Sequence, residues 1–569
     1  MRNLMPTKLD GFDTIDIIKD ILHISGSMPG ADASKLSANV GVEETKIVAI
    51  VQDTTQHNTA NTPDFTHSDA RISELLEHVR EISAIGELGA LTGWDQNTIM
   101  PEGASEVRGA QMAVVQGLLH ERWTNPKLGS LLSTLEEVVQ GQTFTDADRG
   151  LIREAARNHK KYSKLPRSLV EQMARVEAGS FDAWRRARAN NDFASFAPWL
   201  TRTIALQREV ADRLGYQESR YDALLDEYEP GLTMSRVESL FTPVREFSTA
   251  LLKRIQASGH TVDTACLHGD FPSDKQTELS IEILKRMGYD FARGVIAHSA
   301  HPFTTGIGSP FDVRVTIRTN RRWLQQSLMA AIHEGGHALY EQGSAVTLVQ
   351  TPVVGGASMG IHESQSRLWE NGIGRSEAFW RGQFDIARRI FPEQYANVDA
   401  ATFAHALNHV EPSLIRVEAD EVTYNLHIII RFELERLMVN DSVAVESLPR
   451  LWNEKYRDYL GITPDSDSDG ILQDVHWTSG FGYFPSYTLG NLNAAQILHT
   501  LREAIPNFDE TLAQGDTSPI LTWLQQHMYN VGAIYQPDAL MRRVTGATLN
   551  PAYFTHYLTS KFEQIYGLV

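Results

Sequence analysis

Apolar residues from Ala70 onward recur at the three- and four-residue steps of amphipathic helices. The pattern is clear in RISELLEHVREISAIGELGAL, VRGAQMAVVQGLLHERW and KLGSLLSTLEEVVQ, because residues at this spacing share one helical face. Strand-like alternation is clearest in FDVRVTIRT, residues 311–319, where Asp312, Arg314 and Thr316 alternate with valines. The chain has no internal repeat, so a solenoid is not expected. The pattern predicts a mainly α-helical fold with a small β-sheet.

Residues 1–67 carry a weaker pattern and lead into the polar run QDTTQHNTANTPDFTHSD, which is typical of a linker. We expect a poorly ordered N-terminal extension over 1–67 and one large domain over 68–569. The first residues have no apolar core behind a basic start, so no secretory signal is expected. No apolar stretch approaches the ~20 residues of a membrane span. Cys266 is the single cysteine, which excludes an internal disulfide and favours a cytoplasmic protein.

Charge narrows the possible partners. The 569-residue chain has 52 Lys and Arg against 71 Asp and Glu, a net charge of −19. An acidic chain without a basic block is not expected to bind nucleic acid or an anionic membrane. With 42% hydrophobic and 22% charged residues, the composition is that of a globular protein with a sizeable core.

The segment AAIHEGGHALYEQG carries the clearest candidate chemistry. His333 and His337 are four residues apart, so a helix presents both imidazoles on nearly the same face. Glu334, beside the first histidine, is placed to act as general base on a water molecule. This is the zincin signature H-E-x-x-H, which predicts a zinc site.

Two adjacent glycines, Gly335 and Gly336, lie between these histidines. Each glycine in a helix interior costs roughly 0.5–1 kcal/mol relative to alanine. Such a pair is expected where side chains would obstruct a neighbouring helix or strand. It therefore predicts close packing against this helix.

A third protein ligand is needed, and it does not follow the metzincin pattern. That pattern requires a glycine and a histidine where this chain has Tyr340 and Gly343. The segment SMGIHESQSRLWENGIG instead sets Glu363, Arg367 and Glu370 on one helical face. We predict that Glu363 is the third ligand.

Two other groups remain candidates for that position. Glu341 lies on the same helix as both histidines, so it closes a tetrahedron around a metal less easily. His362 directly precedes Glu363.

Several separated motifs extend this picture along the chain. In order, they are WDQNTIMP (94–101), HPF (301–303), DVRVT (312–316), HEGGH (333–337), HESQSRLWEN (362–371), IRVEAD (415–420) and GILQDVHW (470–477). Together they resemble the thermostable (Taq-type) metallocarboxypeptidases. The resemblance covers about residues 70–569.

This resemblance implies a zincin-like, two-lobed helical fold with a deep active-site groove, and commonly a homodimer. It implies that zinc is held by His333, His337 and Glu363, with Glu334 as the catalytic base. The sequence leaves zinc or cobalt open as the native metal. The catalytic domain would then span 68–569, and residues 1–67 have no counterpart in the family pattern.

The segment IRVEADEVTYNLH repeats polar residues at helical steps, which predicts one polar stripe on a helix. The resemblance favours a stripe that faces the groove, formed by Arg416, Asp420, Thr423, Tyr424 and His427. A carboxypeptidase must recognise a free carboxylate, and arginine does so through a planar pair of donors. Arg314 and Arg416 are the candidates. His301, in the HPF motif, and Tyr424 are predicted to contact substrate as well.

His476 with Tyr483 and Tyr487 is predicted to donate hydrogen bonds to the oxyanion of the tetrahedral intermediate. Offsets of seven and eleven residues return to the same helical face, so spacing leaves both tyrosines open. Resemblance to related helical zinc peptidases favours Tyr487, although Pro485 argues against a continuous helix. Three acids are candidates for orienting the ligand histidines or for buried ion pairs: Glu370, Asp420 and Asp474.

The sequence thus predicts a zinc carboxypeptidase that releases single C-terminal residues, with broad preference, from peptides with a free C-terminus. An oligopeptidase with the same zinc chemistry is the alternative. A catalytically inactive peptide-binding protein is a third reading, against which the intact Glu334 argues.

Overall fold

The computed structural model describes residues 62–140, 144–308, 310–440 and 443–568. Residues 1–61 of the predicted extension therefore lie outside the described residues. Phe65 is buried in an apolar core, and the Thr66 backbone N–H donates to Asp148 Oδ1 at 2.9 Å. Residues 65 and 66 thus already belong to the folded body. Within the described part, no helix has both the length and the apolar character needed to cross a membrane.

Helices dominate the described chain, so the predicted mainly α-helical fold is confirmed. The first half contains α1 (Ala70–Thr98), α2 (Ser105–Trp123), α3 (Pro126–Val138), α4 (Asp146–Lys164), α5 (Arg167–Asn190), α6 (Phe193–Leu214), α7 (Arg220–Leu225), α8 (Met234–Ser258) and α9 (Ser273–Met287). The strands β1 (Ile296–His298), β2 (Thr304–Gly306) and β3 (Val313–Ile317) follow. The second half contains α10 (Leu324–Gln342), α11 (Met359–Arg367), α12 (Glu377–Ile390), α13 (Ala400–Ala406), α14 (Tyr424–Val439), α15 (Leu448–Leu460), α16 (Pro485–Ala504), α17 (Phe508–Ala513), α18 (Ser518–His527), α19 (Pro537–Thr545) and α20 (Ala552–Tyr566).

Local signals in the sequence explain where several helices begin. Asp69 caps α1 by accepting the Arg71 backbone N–H at 2.9 Å. Thr145 and Asp148 form a reciprocal capping box at the start of α4. Pro485 occupies the first turn of α16, where its missing N–H is not needed.

The three strands form one small sheet in the order β1-β3-β2. β1 runs parallel to β3, and β2 runs antiparallel to it, with Thr304 opposite Val315. Val313, Val315 and Thr316 are fully buried, while Arg314 is half-buried. The predicted strand is confirmed, but its polar face is only partly open to solvent.

The helices enclose two large apolar cores and a third, smaller one. One core contains parts of α5, α6, α8, α14, α15 and α20. The other contains parts of α9, α10, α12 and the sheet. α16 contributes to both, through Leu489 to the first and Ile497 to the second. The smaller core contains Phe65 and parts of α1, α3 and α4. The two large cores share α16, which is consistent with a two-lobed fold.

The predicted continuous helix through IRVEADEVTYNLH is wrong. Arg416–Glu418 forms a single 3-10 turn, and α14 begins only at Tyr424. Asp420 ends the first segment because its Oδ1 accepts the Thr423 backbone N–H at 3.1 Å, a local bond that competes with helix formation. Thr423 and His427 are fully buried, so no groove-facing stripe exists here.

The segment from His476 to Tyr487 is not one helix either. His476–Thr478 forms a 3-10 turn, and α16 begins at Pro485. Tyr483 thus lies before α16 and Tyr487 lies in its first turn. Helical spacing does not describe how these tyrosines relate to His476.

Candidate metal centre and substrate site

The two glycines of α10 allow two other helices to approach it closely. A Cβ on Gly336 would lie 2.5 Å from the backbone oxygen of Gln365, on α11. A Cβ on Gly335 would lie 2.5 Å from Leu284 and 2.8 Å from Met287, on α9. The predicted close packing is confirmed. At Gly336 the backbone of α10 packs directly against the backbone of α11 at Gln365 and Ser366.

This packing brings His333, His337 and Glu363 together. The Glu363 Oε2 atom lies 3.4 Å from His337 Nε2 and 3.7 Å from His333 Nε2. One candidate ligand atom from each residue lies within 4.8 Å of the others. Tetrahedral ligands at bond lengths near 2.1 Å are separated by about 3.4 Å. Two imidazoles and a carboxylate at this spacing fit a divalent metal ion.

Arg367 and Glu370 surround Glu363 with charge. The Arg367 guanidinium donates to Glu363 Oε1 at 2.7 Å and to Glu370 Oε2 at 3.1 Å. Burial opposes ionisation of Glu363, but Arg367, His333 and His337 outweigh it and hold the pKa of that carboxyl well below its usual range. Glu363 is therefore a carboxylate at neutral pH.

His333 and His337 each have a hydrogen-bond partner at Nδ1. His333 Nδ1 lies 2.8 Å from Glu370 Oε2, which also accepts from Arg367, so Glu370 contacts both a candidate ligand and a buried cation. His337 Nδ1 lies 2.6 Å from His362 Nδ1. Burial lowers the pKa of His337 to about 4, which leaves the neutral imidazole that a metal ion requires.

The alternative ligands His362 and Glu341 lie behind His337. His362 Nε2 is 2.8 Å from Glu341 Oε1. Both groups therefore contact each other rather than completing the cluster of His333, His337 and Glu363.

Glu334 lies at the same face of α10 and is buried. Thr304, on β2, donates to Glu334 Oε2 at 2.8 Å. Burial raises the pKa of Glu334, partly offset by His333 and Thr304. A raised pKa suits a group that must accept a proton near neutral pH.

Arg416 is buried and joined to Asp474. Its Nη2 donates to Asp474 Oδ1 at 2.8 Å, and Arg431 donates to the other oxygen of the same carboxylate. Two guanidinium groups therefore share one carboxylate. Arg416 also lies 3.3 Å from the Tyr424 hydroxyl and 5.1 Å from the Tyr487 ring centroid.

Arg314 has a different environment. It donates to both oxygens of Asp312, at 2.8 and 2.7 Å, and lies against the ring of Trp94. Its side chain is 23% exposed, against 7% for Arg416. The charge of Arg314 is matched by its neighbour in the same strand region.

The structure brings His476, Tyr483 and Tyr487 together despite the break in helix. His476 Nε2 lies 3.4 Å from the Tyr487 hydroxyl, and the rings of Tyr483 and Tyr487 meet edge to face at 5.2 Å. Burial lowers the pKa of His476 to about 4 and raises that of Tyr483 to about 12. Both tyrosines are therefore protonated at neutral pH and available as donors.

His301 and Asp420 are two further residues that the sequence singled out. His301 is exposed, and burial, more than His301, lowers the pKa of His476. Asp420 instead holds the turn before α14, where its Oδ2 accepts the Thr423 hydroxyl at 2.7 Å. Asp420 is a structural acid.

Sequence reasoning missed three side chains that support this site. Thr304 directly follows the HPF motif, so its position in the sequence beside a family motif could have indicated a role in the site. Arg431 and Glu435 stand in the apolar run of α14, where a charge demands a buried partner. Glu435 accepts hydrogen bonds from Trp477 and from the Gly482 backbone, and so fixes the segment between His476 and Tyr483.

Comparison with known proteins agrees with this geometry. The model of the carboxypeptidase Taq (M32) metallopeptidase family matches residues 74–562. Thermostable carboxypeptidase 1 of Thermus thermophilus is 41% identical over 512 residues, which cover 88% of this chain and 99% of that protein. Carboxypeptidase 1 of Bacillus subtilis is 38% identical over 496 residues, covering 87% and 98%.

A solved structure gives the same result in three dimensions. The crystal structure of the M32 carboxypeptidase from Deinococcus radiodurans R1 superposes with a TM-score of 0.84 at 36% identity, covering 88% of this chain and 100% of that one. The family match spans nearly all of the described body, and the relatives are matched over almost their whole length. The chain therefore belongs to the carboxypeptidase Taq (M32) family of metallopeptidases and is a metal-dependent peptide hydrolase.

Proposed function

We propose that this protein is a zinc carboxypeptidase that removes single residues, with broad preference, from the free C-terminus of peptides. The observation that carries the proposal is the cluster of His333, His337 and Glu363 with the buried Glu334 beside it. Two imidazoles and one carboxylate are the protein ligands of many catalytic zinc sites, and cobalt accepts the same donors. A metal ion bound there would polarise the scissile carbonyl and acidify water.

Glu334 serves as the general base in this proposal. The Thr304 hydroxyl lies 2.8 Å from Glu334 Oε2 and 2.9 Å from the Glu334 backbone oxygen, and it can donate its one proton to either, which restrains the side-chain rotamer. The raised pKa makes Glu334 a stronger proton acceptor than an exposed carboxylate. It takes the proton of the attacking water and returns it to the leaving amine.

Arg416 is the proposed anchor for the substrate carboxylate. Arg416 and Arg431 carry two positive charges against the single charge of Asp474, and the surplus positive charge favours an anionic ligand. The Tyr424 hydroxyl beside Arg416 offers another donor. Arg314, already paired with both oxygens of Asp312, is the weaker candidate.

Oxyanion stabilisation falls to Tyr487 with His476, because their polar atoms lie 3.4 Å apart and both are largely buried. Tyr483 packs on Tyr487 and supports its orientation. His301 is exposed and is proposed to contact the peptide further from its C-terminus. A protonated phenol donates to a developing oxyanion without a change of charge.

We also propose a cytoplasmic homodimer that binds neither nucleic acid nor membrane. The α1–α2 hairpin exposes apolar side chains, including Leu88 (58%), Val107 (62%) and Val114 (64%). Val107, Val114 and Leu118 lie on one face of α2, and an apolar face of this kind is typical of a subunit interface. Sedimentation should show a dimer that Val107→Glu with Val114→Glu converts to a monomer. A wild-type monomer at micromolar concentration would contradict the assembly.

The catalytic proposal is tested with one peptide synthesised with a free and with an amidated C-terminus. Metal analysis should find one zinc per chain, and mass spectrometry should show stepwise loss of single residues from the free acid. The amide should be cleaved far more slowly. Equal internal cleavage of both peptides would instead identify an oligopeptidase, and no cleavage by metal-loaded protein would contradict an active enzyme.

A further inference from the structure

His362 is inserted between two groups of α10. Its Nδ1 atom lies 2.6 Å from His337 Nδ1, and its Nε2 atom lies 2.8 Å from Glu341 Oε1. His337 and Glu341 are four residues apart, so they lie one above the other on the same helical face. α11 therefore carries two neighbouring side chains into α10: Glu363 towards the ligand cluster and His362 into the gap behind it.

The chemistry of these three groups fixes where each proton lies. A carboxylate only accepts hydrogen bonds, so His362 must donate from Nε2 to Glu341. With its proton on Nε2, His362 can accept at Nδ1, and the 2.6 Å contact there is a hydrogen bond when His337 donates from its own Nδ1. The remaining lone pair of His337 is on Nε2, which is the atom that faces Glu363 at 3.4 Å.

The surrounding chain leaves room for this arrangement. A Cβ on Gly356 would lie 2.9 Å from the His362 ring, and a Cβ on Gly355 would lie 3.2 Å from Glu341 Oε1. The Tyr340 ring covers His362 at a centroid distance of 5.4 Å. Two consecutive glycines and an aromatic ring thus shape the space that holds His362 and Glu341.

We propose that Glu341 and His362 are positioning residues that hold His337 in the tautomer able to bind metal through Nε2. Glu370 holds His333 in the same way through a direct contact of 2.8 Å. Between Glu341 and His337, the His362 imidazole lies in the path. Such partners orient a ligand histidine and raise its basicity, and their loss typically weakens metal binding 10- to 100-fold. This inference rests on the proposed metal site, but it concerns two residues outside the ligand set.

Two substitutions at His362 separate the tautomer role from simple packing. In His362→Asn the side-chain oxygen can take the place of Nδ1 and still accept from His337, while the contact with Glu341 is lost. In His362→Gln the amide can reach Glu341 in place of Nε2, but nothing accepts from His337. The zinc dissociation constant is measured by competition with a chromophoric chelator, and the cobalt-substituted protein is compared by its visible absorption spectrum.

We expect His362→Asn to bind zinc within about threefold of wild type with an unchanged cobalt spectrum, and His362→Gln to bind about 10- to 100-fold more weakly with an altered spectrum. Equal affinity in both variants, or equal weakening in both, would overturn the inference. If His362→Gln does not fold, Glu341→Gln replaces it, because an amide can also donate to His362 and reverse the chain of donors. Wild-type zinc affinity in Glu341→Gln would then overturn the proposal. Metal binding by wild type itself tests the proposed function, so the two failures are distinguishable.

Discussion

Gly336→Ala should weaken metal binding by changing the distance between two helices. The added Cβ would lie 2.5 Å from the backbone oxygen of Gln365 and 2.7 Å from Cα of Ser366, whereas ordinary contacts begin at 3.4 Å. Backbone atoms cannot rotate away, so α11 must move outward by roughly 1 Å in a close-packed interior. Glu363 lies on α11 and would move away from His337.

The magnitude follows from the geometry of the cluster. Metal sites tolerate errors of about 0.2 Å in ligand distance, and the Glu363–His337 separation is 3.4 Å. We expect at least a tenfold loss of zinc affinity. Overpacking costs about 1–3 kcal/mol and alanine returns about 1 kcal/mol of helix propensity, so the metal-free protein should lose at most about 2 kcal/mol.

Gly335→Ala is the matched control, because its Cβ meets the ends of the Leu284 and Met287 side chains. These ends can change rotamer, so zinc affinity should stay within about twofold of wild type. Affinity is measured by chelator competition and stability by urea unfolding in excess chelator. A Gly336→Ala protein with wild-type zinc affinity would refute the view that this glycine sets the spacing of the metal ligands.

Four further predictions concern Glu334, Glu363, Arg416 and Phe65. Glu334→Gln should retain zinc but lose nearly all hydrolysis, because nothing then accepts the water proton. Glu363→Ala should lose zinc together with activity. Full activity in Glu334→Gln, or unchanged zinc content in Glu363→Ala, would contradict these roles. Arg416→Ala should lower kcat/KM at least tenfold for a free-acid peptide, since a charge-assisted contact is worth about 1.5–3 kcal/mol, and should have little effect on the matching amide. Equal losses on both peptides would show that Arg416 has a structural role. A larger loss on the free acid in Arg314→Ala would identify Arg314 as the anchor. Phe65→Ala should cost about 3–5 kcal/mol in urea unfolding because this side chain is only 5% exposed, and an unchanged midpoint would show that the core is complete without it.

Helical periodicity was sufficient for the parts of the site that lie within one segment. The four-residue spacing of His333 and His337 placed both on one face of α10. The spacing of Glu363, Arg367 and Glu370 predicted that these side chains meet, and they do so across the end of α11 and the π-helical turn Leu368–Ile373 that continues it. Those inferences needed only the rise and rotation of a helix. The adjacent glycines Gly335 and Gly336 also predicted close packing, but they did not indicate which helices pack against α10.

The same reasoning failed where polarity recurred at helical steps without a helix. The segment from Arg416 to His427 has the spacing, but Asp420 bonds to nearby backbone and hydroxyl groups and holds a turn. Residues such as aspartate offer the backbone an alternative to the helix, and spacing alone does not register that competition. Arg416 and Tyr424 still meet, at 3.3 Å, through the path of the turn.

Motif order and helical periodicity are properties of the linear chain, so they were sufficient to predict the helical class, the family and the three candidate metal-ligating residues. How these residues are supported depends on tertiary packing. Thr304 reaches Glu334 from a strand, Asp474 pairs with Arg416 from 58 positions away, and His362 enters between His337 and Glu341 from another helix. Each of these contacts depends on how separate elements pack. Packing is fixed by the burial of the whole set of apolar faces together, which no single segment specifies.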